Sequence, residues 1–292
     1  MIKINEVPNN IEPRNKMFPK LQKGLLADFR GPEMQPSETA FLCGLLKTYK
    51  PKKILEVGIA KGSTTAIVLQ TLEDIGEPYE MRSVDIAEQC YSFKTKRTGF
   101  VAEFAKENNL FNSPDKPLLY GSHEFYLGKY LPQVIDEIGG GIDFVILDTV
   151  HYTPGELMDF LVMLPYIKDD SIVVLHDVSL NQRNLSWHKP DAHATGLLFS
   201  AVVAKEKFLN YEVETNERPF HYPNIGAFKI GKGTRTHIGN VFLALTLTWH
   251  YLPKDDEVSI YREFYNRHYS AKLVDIFNET VKMNSNNIAL KK

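Results

Sequence analysis

The sequence predicts an α/β protein built on a doubly wound, mostly parallel sheet. Three observations carry this. Short runs rich in Val, Ile and Leu alternate with longer segments of helical spacing. The runs "KKILEVGI", "IDFVILDT" and "SIVVLHDV" are apolar throughout, as in strands covered by helices on both faces. The first of them leads straight into a glycine-bearing turn, "VGIAKGSTT".

Residues 1 to about 35 are rich in Pro, Asn and Lys and lack clear periodicity, which reads as an arm or lid. A helix follows Pro36, with Ser37 as its expected cap and Ala40, Phe41, Leu42, Leu45 and Leu46 as its apolar face; it stops before Pro51. "KKILEVGI" is the first core strand, and "STTAIVLQTLEDIG" is a helix ending at Gly76. "MRSVDIA" is the second strand, and a helix covers roughly 97–109. "KPLLYGS" is the expected third strand and "EFYLGKYLPQVIDEI" a helix with a break at Pro132. "IDFVILDT" is the fourth strand, "GELMDFLVMLPYIK" a helix and "SIVVLHDV" the fifth strand. "ATGLLFSAVVAKEKF" reads as a helix, and "NYEVET" and "IGAFKIG" as the sixth and seventh strands, the last antiparallel. From about residue 236 the aromatic, charged tail has helical spacing and reads as two or three helices packed on the core or on a second copy in a homodimer. The expected division is an arm and helix over 1–50, a catalytic domain over 51–232 and a helical extension over 233–292.

Composition narrows the function class. A formal net charge of −2 on 292 residues provides no field that would draw in nucleic acid or an anionic membrane. Two cysteines, Cys43 and Cys90, make neither a disulfide framework nor a zinc pattern, which fits a reducing compartment. The polar N-terminus lacks a signal-peptide core and no run is long and apolar enough to span a bilayer, so the expected location is the cytoplasm.

Open parallel sheets bind ligands outside the carboxyl ends of their strands, and Gly58, Asp85, Ser122, Asp148 and Asp177 are all expected there. The turn has the form Glu56-x-Gly58-x-Ala60-x-Gly62-Ser63. Gly58 lets the chain leave the strand sharply, Ala60 stands where a middle glycine would, and Gly62 opens the helix. This is neither the dinucleotide fingerprint nor a phosphate loop, because the last glycine is misplaced for one and Lys61 precedes the glycine in the other. Glu56 is suited to accept from an ammonium group, and Asp85, at the end of the next strand, to take both hydroxyls of a ribose. A tight turn capped at Ser63 and a helix cap at Asp85 are the structural alternatives. Ser122 and His123 read either as contacts to a base ring or as a helix cap.

"ILDTVHY" and "VLHDV" place Asp148, His151, His176 and Asp177 at the ends of two strands. Adjacent strands lie about 4.8 Å apart, so these groups can converge. Asp148, His176 and Asp177 form a candidate divalent-metal set, with oxygen donors suited to Mg²⁺ or Mn²⁺. His151, beside Asp148, is the candidate general base. Taken singly, the plainer reading is the better one, with His176 a satisfied histidine, Asp177 a loop cap and His151 a surface residue; for all four together at two strand ends the site reading is better. "NQRNLSWHKPDAHAT" is a long loop after the fifth strand, placed to close over an acceptor.

Together these motifs resemble the class I S-adenosylmethionine-dependent methyltransferases. "ILEVGIAKG" is similar to that family's first motif, and "SVDIA" to its second-strand acid. The stretch from "IDFVILDTVHY" to "SIVVLHDV" resembles a branch that includes macrolide-sugar O-methyltransferases and cephalosporin-hydroxylase-like proteins. The resemblance spans roughly residues 50–232. It implies a seven-stranded Rossmann-like sheet with an antiparallel hairpin at one edge. It also implies a cofactor set of Glu56, Gly58, Ala60, Gly62, Ser63, Asp85, Ser122 and Asp148, with the loop and Glu56 on the methionine part of S-adenosylmethionine and Asp85 on its ribose. In that branch an acid placed like Asp148 and an acid pair after the fifth strand bind magnesium, and a histidine placed like His151 is the proposed base; here the pair is His176-Asp177, one carboxylate short. The implied activity is O-methylation of a small hydroxylated acceptor, a sugar or polysaccharide precursor. The alternatives are a metal-dependent hydrolase or hydroxylase-like enzyme on the same fold, or a non-catalytic binding protein.

Overall fold

The computed structural model describes residues 2–4, 6–25, 31, 33–182, 191–210 and 224–289. Strand β1 (Ile2–Ile4) is followed by helices α1 (Glu12–Leu25) and α2 (Pro36–Tyr49). The alternation then runs β2 (Lys53–Val57), α3 (Ser63–Ile75), β3 (Tyr79–Asp85), α4 (Phe100–Glu107), β4 (Gly121–Leu127), α5 (Leu131–Ile138), β5 (Ile142–Leu147), α6 (Gly155–Met163), β6 (Ile167–His176) and α7 (Ala194–Ala201). Strands β7 (Glu206–Leu209) and β8 (Ile225–Lys229) complete the sheet, and α8 (Lys232–Thr236), α9 (Gly239–Leu245), α10 (Asp255–His268) and α11 (Ala271–Ala289) follow.

One sheet takes the order β1-β7-β8-β6-β5-β2-β3-β4. All pairings are parallel except those of β8, which runs antiparallel to both β6 and β7. The seven expected strands are thus joined by an eighth, the three-residue β1 on the edge beside β7. Strand order reverses between β2 and β5, so the end of β2 lies beside the end of β5 at the switch point.

The period-two alternation of side chains sorts the strands between two cores. Leu55, Val57, Val145, Leu147, Val173 and Leu175 face a cluster with α5, α6, α9, α10 and α11. Ile54, Phe144, Ile146, Ile172 and Val174 face the other, with α1 to α4. Phe242, Tyr261, Phe264, Tyr265 and Phe277 of the C-terminal helices are buried in the first core, so these aromatic side chains pack within the chain.

Several local expectations are corrected. The region 116–138 is not a strand and then one long helix: β4 begins at Gly121 and α5 only at Leu131. β4 is an edge strand bonded only to β3, so it lacks the apolar run that marks a buried strand. Pro132 starts α5 rather than breaking it, since the first turn needs no amide donor. The helix expected over 194–208 ends at Ala201, and "EKFL" becomes β7. Of the strand expected over 210–215, residues 211–215 lie outside the described residues. The cap of α2 is Gln35, not Ser37; the Gln35 amide donates to Glu38 Oε2 over 2.7 Å. The arm contains a helix that Pro13 and Pro19 disguise: α1 buries Met17 and Leu21 and packs on α3, on the face away from the C-terminal helices.

Candidate active site

At the switch point the end of β2 turns away under the end of β5. Gly58 has φ +90°, and a Cβ there would lie 1.8 Å from the Asp148 carbonyl oxygen. Only glycine fits, because the Asp148 amide donates to the Val57 carbonyl over 2.9 Å and pins the two strand ends together. The turn continues through Ala60 at φ +51° to Gly62 at φ +84°. Gly62 makes room for protein rather than ligand: its Cβ would meet Gly99 Cα at 2.9 Å. The Gly99 amide donates to the Ala60 carbonyl over 2.9 Å, which ties the turn to the start of α4.

Asp85 reaches across from β3 to this turn. One carboxylate oxygen accepts the amides of Ile59 (2.9 Å) and Ala60 (3.3 Å), and the other accepts the amide of Ala87 (2.8 Å). Gly58, Ala60, Asp85 and Asp148 all line one cavity of about 530 Å³. Its wall continues over Ile86, Tyr91 and Val150, apolar side chains left substantially exposed, and reaches α6 and α10.

Besides Gly62, three residues of the expected cofactor set lie outside the cavity wall. Glu56 points to the α3 side, 1% exposed, where it accepts the hydroxyls of Thr65 (2.8 Å) and Ser83 (2.6 Å). Burial pushes its carboxyl up to about 7 against those two bonds. Glu56 holds the turn from behind and has no opening to the cavity. The reason is the strand alternation: its neighbours Leu55 and Val57 face the opposite core. Ser63 is fully buried at the start of α3, outside the cavity wall, and its hydroxyl makes no hydrogen bond among the described residues. Ser122 is exposed at the start of β4, opposite Glu80, whereas Asp85 lies opposite Leu127 at the other end of the same pairing. The misplaced third strand put it at the wrong end of the sheet. His123 also serves the frame: Nε2 lies 3.0 Å from Ser83 Oγ and Nδ1 3.2 Å from Lys106 Nζ. Burial and the charges of Lys106 and Arg82 lower its imidazole to about 3.

The second cluster gathers at the rim. Asp148, His151 and Asp177 each offer one ligand atom, all within 4.8 Å of one another. His151 Nε2 lies 3.3 Å from Asp177 Oδ2 and 3.8 Å from Asp148 Oδ1. The His151 amide donates to Glu156 Oε1 over 2.6 Å, whereas its Nδ1 makes no hydrogen bond among the described residues. Both His151 (φ +62°) and Asp177 (φ +59°) sit in the left-handed region, strain of the kind that gathers at functional sites.

His176 does not join the metal group. Its Nδ1 lies 3.2 Å from Asp148 Oδ1 and its Nε2 3.1 Å from Glu38 Oε2, so carboxylates take both ring nitrogens. Burial opposes protonation, but Asp177, Asp148 and Glu38 outweigh it and raise the imidazole well above its usual range. The His176 expected as a metal ligand is thus an imidazole gripped by two carboxylates, at the position where the resembled branch has an acid. Burial likewise acts to raise the Asp148 carboxyl, but His176 and His151 hold it below its usual range.

Burial also acts to lower His151, yet its contact with Glu156 and the charges of Asp177, Glu156 and Asp148 raise it to about 9. A group whose folded pKa exceeds its unfolded value stabilises fully below the unfolded value, about 6.5, and loses that contribution as pH rises through the folded one. The metal-free protein is therefore expected to lose up to roughly 3 kcal/mol between pH 6.5 and about 9 from this group. Urea denaturation at pH 6 and pH 9.5 checks it, and equal midpoints in wild type would refute it. In His151→Asn this contribution should vanish, leaving that of His176.

Glu38, Glu156 and Asn224 were not legible in the sequence. Glu38 presents itself there as a first-turn helix acid, which it also is. Asn224 Nδ2 donates to Asp177 Oδ1 (2.6 Å) and Glu38 Oε1 (2.9 Å), bridging the two. No motif marks an asparagine that is brought to the site by the antiparallel β8. Of the loop proposed to close over the acceptor, residues 183–190 lie outside the described residues.

Residues 55–178 match the family model described as a methyltransferase domain. No curated protein shows significant sequence similarity to the chain. Similar solved structures include the O-methyltransferase TomG from Streptomyces achromogenes, involved in tomaymycin synthesis and solved with SAM. It is 16% identical, with 78% of this chain and 93% of that chain covered and a TM-score of 0.48. An O-methyltransferase from Bacillus cereus in complex with SAH is 17% identical, with 77% and 93% covered and a TM-score of 0.49. A methyltransferase from Podospora anserina, also SAH-bound, is 12% identical, with 80% and 99% covered and a TM-score of 0.45. The matched residues run from β2 through β6 and contain the glycine turn, Asp85, Asp148 and Asp177. Over residues 55–178, from the glycine turn to the end of β6, the chain is thus similar to a methyltransferase domain.

Proposed function

We propose that the protein transfers a methyl group from S-adenosylmethionine to a hydroxyl oxygen of a small acceptor, a sugar or polysaccharide precursor. The observation that supports this most is one cavity joining the Gly58–Ala60 turn, Asp85 and Asp148, with the His151–Asp177 pair at its rim. In this reading the methionine end of the cofactor lies along the turn, and a ribose hydroxyl donates to Asp85 Oδ1, which accepts a single amide and keeps a lone pair, whereas Oδ2 already accepts two. The acceptor class follows from the sequence resemblance and from a donor set suited to neighbouring hydroxyls.

The rim fits a divalent cation: the carboxylates of Asp148 and Asp177 and the Nε2 of His151 converge, the hard oxygen donors that Mg²⁺ or Mn²⁺ takes among them. A cation held by Asp148 and Asp177 would lower the pKa of the acceptor hydroxyl and, by offsetting both carboxylates, that of His151. His151 Nε2 cannot bind a cation and take a proton in the same complex, so we assign it to the proton. Asp148 and Asp177 orient it, and Asn224 and His176 hold those carboxylates in place.

Calorimetric titration with S-adenosylmethionine and S-adenosylhomocysteine, with and without Mg²⁺, tests the reading. Binding of both is expected, with Mg²⁺ stimulating methyl transfer. Stoichiometric metal binding without either cofactor form would instead favour a hydrolase or hydroxylase-like enzyme on this fold.

A further inference from the structure

The cofactor cavity does not end at the sheet. Beyond Asp85 and Ile86 it runs over Tyr130 and Met158 to Asp159 of α6, and its far wall comes from the C-terminal extension through Tyr251, Glu257 and Tyr261. Asp159 is 9% exposed, and its only hydrogen bond among the described residues is at Oδ1, which accepts the Tyr261 hydroxyl over 2.5 Å. Its Oδ2 has no partner there, although the residue lines the cavity. A buried carboxyl with one unused oxygen is expensive unless a donor completes it. Such an oxygen on the wall of a largely apolar cavity marks a place for a ligand donor.

The order of groups along the cavity identifies that donor. Asp85 stands where a ribose would be held, and the exposed apolar side chains Ile86 and Val150 lie beside the stretch where a flat ring would follow. A purine placed there turns its six-membered edge to the α6–α10 end. We propose that the C-terminal extension completes the cofactor site, with Asp159, held by Tyr261, recognising the exocyclic amino edge of adenine. This rests on the S-adenosylmethionine reading and gives the extension a function beyond packing. Burial, against the Tyr261 bond, raises the Asp159 carboxyl to about 7, so near neutrality it can both accept and donate. That matches adenine, whose amino group donates while the adjacent ring nitrogen accepts.

The test compares S-adenosylhomocysteine with its analogue in which a hydrogen replaces the exocyclic amine of the purine, by calorimetry on the full chain. Wild type should bind the adenosyl compound at least about tenfold more tightly, because a purine without the amine leaves a carboxyl oxygen of Asp159 without its donor. Asp159→Leu, near in size and without oxygens, should bring the two within about threefold. Tyr261→Phe leaves the carboxyl in place but unheld and should reduce the preference severalfold, which keeps the test open if the leucine variant does not fold. Equal binding of both compounds by wild type would overturn the proposal, as would an undiminished preference in both variants. Binding of neither compound by wild type would show the cofactor reading itself to be wrong, a separate result.

Discussion

His151→Asn is expected to slow methyl transfer by about 10²–10⁴-fold, the usual range for a lost general base, while leaving S-adenosylhomocysteine affinity within about twofold. Asparagine is the informative replacement because residue 151 has φ +62°, which asparagine tolerates better than most side chains. The amide hydrogen bond from residue 151 to Glu156 Oε1 is made by the backbone and survives the change. The imidazole lies 3.3 Å from Asp177 and does not line the cofactor cavity, so its loss should fall on the chemical step and not on cofactor binding. Single-turnover rates with bound S-adenosylmethionine separate the two. The remaining rate should no longer rise with pH, since the imidazole held near 9 without a cation is the group that must lose its proton to act as base. An unchanged rate would remove His151 from the mechanism.

Gly58→Ala should have the largest effect on the fold. The new Cβ would lie 1.8 Å from the Asp148 carbonyl oxygen, at a φ of +90° that L-residues avoid. Relief requires the ends of β2 and β5 to separate, which breaks the bond from the Asp148 amide to Val57 and shifts Asp148 away from His176. The combined loss is expected to be about 4 kcal/mol or more, with a fall in melting temperature on the order of 10 °C. Cofactor binding should vanish even where the variant folds, because the turn and Asp148 line the same cavity. Gly140→Ala is the control: a Cβ there meets nothing within 4 Å, and it should melt within about 1 °C of wild type. Equal melting of the two variants would refute the steric argument.

Both experiments bear on residues whose importance was visible in the sequence, but for different reasons. Gly58 was legible because a strand running into a glycine-bearing turn is a local pattern. Asp148, His151 and Asp177 were legible because buried parallel strands announce themselves by composition, and their ends are where function gathers. His176 was visible as a residue but not as a role, since the carboxylate of Glu38 that engages its Nε2 lies 138 positions away in sequence. Ser122 was misplaced because β4, an edge strand, lacks the continuous apolar run that identifies a buried one. Glu56 and Ser63 follow the same lesson on a smaller scale. Their spacing marks the turn, but which way each side chain points depends on strand alternation and on what α3 packs against.

The sequence by itself determined the class of fold, the glycine turn, the acid at the end of β3 and the two strand ends that carry the rim. Each depends on residues close together in the chain, where periodicity, backbone freedom and composition act directly. Tertiary structure alone decided that Glu38 and Asn224 brace the rim and that carboxylates take both ring nitrogens of His176. It also decided that the C-terminal helices wall the cofactor cavity. Those facts arise from burial and from charges brought together by distant segments, and a buried carboxylate or imidazole takes its protonation from neighbours that no local pattern names.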